Sequence, residues 1–196
     1  MGSYYYLASQ LPSLAYGQKP PMMPGAFKDL ARPMLSAEDA VLLDIISLDP
    51  QPAVKGDGLS YAEAAPPCGS DFIDNWREWE RSFRLNLARH RALKAKRDGS
   101  AIAEPPVVPA DAASAALRAI AAMEAPLEAE ILIDKTRWSA IEALQGYDYF
   151  GRNTIFAYLL KLFILERRAS FQTETGFSEY KSLYASILES AQGASK

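Results

Sequence analysis

Glu130 and Asp134 stand four residues apart, and Glu166 follows on a later segment. Four residues is little more than one helical turn, so the first two carboxylates share a face. Carboxylates gathered from facing helices support two kinds of chemistry. Joined by Glu-x-x-His pairs they hold a di-iron or di-manganese centre. Joined by arginines they form ion pairs in which burial is tolerable because each charge has a partner. Arg137, Arg167 and Arg168 are near enough in sequence to serve, and Tyr158 can donate a hydrogen bond. The only histidine, His90, lacks a glutamate three residues before it. The expectation is therefore a structural polar network with no catalytic residue, metal or other cofactor.

The elements that must position these acids are legible as periodicity. Leu127, Ile131, Trp138 and Ile141 fall on one helical stripe, and the vacant place on it is Asp134. Ile155, Tyr158, Leu159 and Leu162 share a second stripe whose next place is Glu166. A carboxylate on a core-facing stripe must find a cation or several donors. The second helix also carries Phe156, Leu160, Phe163 and Ile164 opposite that stripe, which predicts the most buried helix of the fold.

Around this pair the spacing predicts further helices. Residues 71–97 step through Phe72, Trp76, Trp79, Phe83, Leu87 and His90 as one long amphipathic helix of about 40 Å. Its acids, Glu80 among them, gather toward the start and its bases toward the end, complementing the helix macrodipole. At such spacing Trp76, Trp79 and Phe83 are core residues in preference to a ligand stack. Ser36 with Asp39 opens a helix that runs to the prolines at 50 and 52. An alanine-rich helix covers 110–123, Pro126 begins the next at its first turn, and Phe177 to Leu188 predicts a last one. Residues 4–33 read as a short helix or extended piece followed by an irregular, proline-rich wrap. Residues 49–70 and 99–109 read as Pro-rich connectors. No alternating strand pattern occurs. The expected fold class is all-α, an irregular helical bundle forming a single domain over 1–196.

Composition narrows the function classes. Apolar residues are 49% and charged ones 23%, ordinary for a folded chain. A net charge of −3 argues against nucleic acid, and the basic end of the long helix is balanced by its acidic start. Cys68 is the one cysteine, so no internal disulfide forms and a reducing compartment fits. The opening MGSYYYLASQLPSL lacks a basic leader with an apolar core, and the run from Ile155 to Leu165 is too short to span a bilayer. A cytoplasmic location is expected, with any membrane association through partners. Phosphate-loop, dinucleotide and nucleophile-elbow patterns are absent, so no enzyme is expected.

Two stretches resemble a known family. YYYLASQLPSLAYGQKPP resembles the opening of a bacterial family of uncharacterised proteins encoded among V/A-type rotary ATPase genes. EAEILIDKTRWSAIEAL, followed by FAYLLKLFILERR, resembles that family and, more distantly, the helical repeat of the C/d-type central-stalk component of V/A-type ATPases. In that component an E-x-x-x-D-K stretch leads to an aromatic, and a later helix carries x-A-Y-L-L-x-x-x-x-E-x-R. The matching residues here are Glu130, Asp134, Lys135 and Trp138, then Ala157, Tyr158, Leu159, Leu160, Glu166 and Arg168. The C/d-type component is longer, with three related helical units, and lacks the proline-rich connectors. The resemblance implies a non-catalytic link between the membrane rotor ring and the central axle, with central-stalk and rotor-ring proteins of the ATPase as partners. A stand-alone helical adaptor, an ATPase assembly factor and a carboxylate-bridged metalloenzyme are the alternatives.

Overall fold

A computed structural model describes residues 4–49, 53–55, 58–60, 64–98, 102 and 111–171. The predicted helix from Phe177 to Leu188 lies outside the described residues, as does nearly all of the 99–109 connector. Seven α-helices and one 3-10 turn make up most of the described residues, so the fold is all-α. In chain order they are α1 (Tyr5–Gln10), α2 (Pro24–Ala31), the 3-10 turn (Arg32–Met34), α3 (Ala37–Ile45), α4 (Asp71–Lys94), α5 (Asp111–Ala122), α6 (Pro126–Gln145) and α7 (Arg152–Ser170).

Local chemistry sets most of the boundaries. The Ser36 hydroxyl accepts the Asp39 amide at 3.1 Å and so starts α3. Pro126 occupies the first turn of α6, where its missing N–H is no loss. Helix α4 ends at Lys94, three residues short of the expected 97. Lys96 adopts a left-handed φ of 54°, and the Arg97 amide turns back to donate to the Ala92 carbonyl at 2.9 Å. Helix α3 stops at Ile45, where Ile46 turns extended, well before the prolines that were expected to end it.

Two elements depart from the sequence reading. Pro24–Ala31 is a helix inside the stretch read as an irregular wrap, with Pro24 at its first turn and Phe27 and Ala31 buried. Within 49–70, read as loop without strands, β1 (Ala53–Lys55) and β2 (Gly58–Ser60) form a minimal antiparallel hairpin in which Val54 faces Leu59. Runs of three residues are too short for period-two alternation to register.

Helix α7 is the central element. Ile155, Phe156, Ala157, Leu159, Leu160, Leu162, Ile164 and Leu165 are all buried, as its all-round apolar pattern predicted. It packs along α6 and also touches α2 and α4, while α4 meets α5 and α6 on its other side. The α4 aromatics are core: Trp76 lies 5.6 Å from Trp79, and Trp79 lies 5.0 Å from Phe83, with near-parallel rings. The Trp76 indole N–H donates to the Ser47 carbonyl at 3.3 Å, which ties α4 to the residues after α3. Among the described residues no helix is long and apolar enough to cross a membrane.

The N-terminal residues strap the α6–α7 pair. The Tyr4 amide donates to the Phe150 carbonyl at 2.6 Å, the Tyr16 hydroxyl to Ile131 at 2.7 Å, and the Tyr158 hydroxyl to Pro12 at 2.9 Å. The Tyr4 hydroxyl also donates to the buried Asp39 carboxylate, whose other oxygen lies 3.7 Å from Arg152. A phenol and a guanidinium thus neutralise the acid that α3 places in the core.

Candidate functional site

The carboxylate–arginine network runs across three helices. Asp134, on α6, is fully buried and Arg137, one turn on, is 4% exposed. Arg137 donates to Asp134 at 3.1 Å and, through two nitrogens at 3.1 and 2.6 Å, grips Glu80 of α4 in a fork. Arg84 reaches the same Glu80 at 2.5 Å. On the other side, Arg167 of α7 donates to Asp134 at 3.2 Å and to Glu130. Arg91 stands 3.9 Å from Glu130. Carboxylates and guanidiniums alternate along this network, so each charge faces partners of the opposite sign.

Burial pushes the Asp134 carboxyl above the ordinary aspartate range, outweighing the pull of Arg167 and Arg137 in the other direction. The geometry agrees, because its Oδ2 is buried with no hydrogen-bond partner. Burial acts on Arg137 too and disfavours its charge. Glu80 and Asp134 more than offset that effect and hold the guanidinium above its ordinary value.

Of the residues the sequence singled out, Glu130, Asp134, Arg137 and Arg167 meet in this network. Three do not. Glu166 is only half-buried and has no hydrogen bond or ion pair among the described residues, because the next residue, Arg167, is the one that faces α6. Tyr158 gives its hydroxyl to Pro12 instead of to a carboxylate, and burial pushes its pKa up to about 12. Arg168 stacks over the Tyr16 ring at 4.4 Å. Leu127 and Ile131, placed on the core stripe with Asp134, are in fact exposed, so that stripe is buried only from Asp134 onward, through Trp138 and Ile141. The sequence reading missed Glu80, taken for part of the acidic start of α4. Its distance of four from Trp76 and three from Phe83 puts it on the buried stripe.

This arrangement ties α4, α6 and α7 together through side-chain ion pairs. Glu130, Asp134 and Glu80 are each engaged by guanidinium, which leaves the Asp134 Oδ2 as the unpaired oxygen. Among the described residues no group of three or more His, Cys, Asp or Glu side chains is gathered to hold a metal ion. His90 is half-exposed on α4, outside the network. Burial pushes the Cys68 thiol up, away from the reactive thiolate. A groove of about 390 Å³ lies between α4 and the residues after α3, with Trp76 and Ile46 among its apolar walls. Its arginines are matched by acids on the same helix: Arg81 grips Glu78 at 2.7 Å, and Arg84 grips Glu80. Arg77, which also lines it, lies 3.7 Å from Asp74, and its buried Nε has no hydrogen-bond partner among the described residues. Comparison with protein-family models, curated proteins and solved structures returned no match.

Proposed function

We propose that this chain is a non-catalytic component of a V/A-type rotary ATPase, a compact counterpart of the C/d-type central-stalk component between the membrane rotor ring and the central axle. The observation that supports this reading best is the packing of the resembling stretches. The N-terminal strap binds α6 and α7 through Tyr16 and Tyr158, and Arg168 of the second stretch stacks on Tyr16 of the first. Glu130 and Asp134, both in the E-x-x-x-D-K stretch, are cross-strutted to α7 by Arg167. Stretches that resemble one family and fold into one packed unit are what a shared ancestry would leave. A body whose helices are pinned by buried ion pairs also suits a part that transmits force by its shape.

An assembly factor of the same complex, or a stand-alone adaptor, is the second reading, and the exposed Tyr147 and Tyr149 favour it. Purification of an affinity-tagged chain from its native cell in mild detergent tests both. Co-migration with the intact ATPase on a native gel is the expected result for a permanent component. Recovery with ATPase intermediates only would indicate an assembly factor, and recovery without any part of the ATPase would refute the assignment.

A further inference from the structure

Arg77 of α4 is a mostly buried cation that makes no hydrogen bond among the described residues. Its side chain is 16% exposed, and its ion-pair partner there, Asp74, stands 3.7 Å away. The Asp74 oxygens are themselves engaged by the Cys68 amide, at 2.9 and 3.2 Å. The Arg77 Nε is wholly shielded, so the two terminal nitrogens are the ones open to a ligand. A guanidinium is rich in donors, and withdrawing it from water without acceptors costs free energy.

The same local pattern occurs on α6, where it is complete. Ile73, Asp74 and Arg77 on α4 have the spacing of Ile133, Asp134 and Arg137 on α6. Both isoleucines are buried, and each arginine faces the aspartate one turn before it. Arg137 then grips a carboxylate from another helix, Glu80, through two nitrogens at 3.1 and 2.6 Å. Among the described residues no second carboxylate comes within ion-pair distance of Arg77. Arg77 lines the groove of about 390 Å³ instead.

Volume and charge together narrow the occupant. A cleft of this size suits a small molecule, and Ile46, Ile73 and Trp76 supply apolar walls for its body. The other acids of the groove have partners or water: Arg81 holds Glu78 at 2.7 Å, Arg84 and Arg137 hold Glu80, and Asp49 is exposed. A phosphate or a dicarboxylate would bring more negative charge than one guanidinium among these acids can balance. A monocarboxylate brings a single charge, and it is the group that Arg137 takes in the corresponding place on α6.

We propose that this groove binds a small monocarboxylic acid with an apolar body, its carboxylate paired with Arg77 and its body against Trp76 and Ile46. The bound acid supplies the acceptor that the fold gives to Arg137 and withholds from Arg77. The proposal does not depend on the rotary assignment, because its test uses the isolated chain.

The test is titration of the full chain with octanoate, octanol and octylamine, read by calorimetry and by tryptophan fluorescence, since Trp76 lines the groove. Wild type should bind octanoate saturably and at least about tenfold more tightly than octanol, with octylamine weakest. Arg77→Gln should lose that preference and bind octanoate and octanol alike. It should stay folded, because Asp74 keeps the Cys68 amide. Arg81→Gln removes a cation that Glu78 already holds and should keep the preference within about twofold. Octanol or octylamine bound by wild type as tightly as octanoate would overturn the proposal, and that comparison decides by itself should Arg77→Gln unfold. Octanoate bound equally by folded Arg77→Gln, or no saturable binding of octanoate at all, would overturn it as well.

Discussion

Replacing Arg137 with methionine keeps most of the side chain's aliphatic bulk and deletes its guanidinium. Glu80 and Asp134 then lose three hydrogen bonds between them, two at 3.1 Å and one at 2.6 Å. Neither acid can turn to water, since their side chains are 5% and 0% exposed. Breaking a buried ion pair from one side costs roughly 3–5 kcal/mol, most of it for the charge left behind. Here each acid retains a second cation, Arg84 at 2.5 Å for Glu80 and Arg167 at 3.2 Å for Asp134. The expected loss is therefore at the lower end, about 3 kcal/mol.

Urea unfolding followed by tryptophan fluorescence reads this directly, because Trp76 and Trp79 sit on α4 and Trp138 on α6. With a slope of about 2 kcal/mol/M, the midpoint should fall by about 1.5 M. Arg32→Met is the comparison, since Arg32 pairs with Asp44 in contact with water and its loss should leave the midpoint nearly unchanged. A double-mutant cycle with Glu80→Gln should return a coupling of about 1 kcal/mol or more. If Arg137→Met costs less than about 1 kcal/mol, the value of an exposed pair, the network does not bind α4 to α6 and the reasoning fails.

The folded chain holds the Asp134 proton more tightly than the unfolded chain does, because burial raises its folded pKa above the ordinary 3.8. Wild type should thus gain stability relative to Asp134→Asn as pH falls through the raised value toward 3.8, read as urea midpoints at about pH 7 and about pH 4.5. Wild type losing ground on acidification would reverse the sign and reject the argument. Tyr158→Phe should cost about 0.5–1 kcal/mol through the lost bond to Pro12. Between pH 10 and about 12 the unfolded phenol ionises before the folded one, so wild type should lose stability relative to the variant as pH rises, and alkaline denaturation of the two chains checks this. Gly151→Ala forces the Asp148 carboxylate off its two amides and should destabilise by about 1–2 kcal/mol, visible in thermal melts.

Long helices with a clear apolar face were legible in the sequence because burial imposes a period on them. The runs 71–97, 126–144 and the apolar run after Asn153 correspond to α4, α6 and α7 within a few residues at each end. Helix α2 was hidden because it has only eight residues in a stretch dominated by proline, although Pro24 is itself a good first-turn residue. Periodicity says which residues face inward but not which residues they meet. Glu80 and Arg137, 57 residues apart, find each other only once α4 lies on α6. Glu166 fails for the opposite reason. It continues the α7 stripe on paper, but α7 leaves the core in its last turns, where Ala169 and Ser170 are exposed.

The unpaired Oδ2 of Asp134 raises the question of what the network contributes, since a core of leucines would be drier and need no partners. Apolar side chains pack almost as well after a helix slides or turns, so they define the α4–α6–α7 arrangement only loosely. Alternating charges do not tolerate such a shift: rotating α4 by one residue would bury Glu80 away from Arg137. Replacing the trio by Glu80→Leu, Asp134→Leu and Arg137→Met should separate stability from uniqueness. Arg84 and Arg167, 39% and 33% exposed, can turn to water, so the variant should be at least as stable as Arg137→Met alone. Its indole N–H resonances for Trp76, Trp79 and Trp138 should broaden or multiply where wild type gives one sharp set. A triple variant that is stable and equally sharp would show that shape alone fixes the three helices, and the buried charges would then have no part in the rigidity on which a force-transmitting role depends.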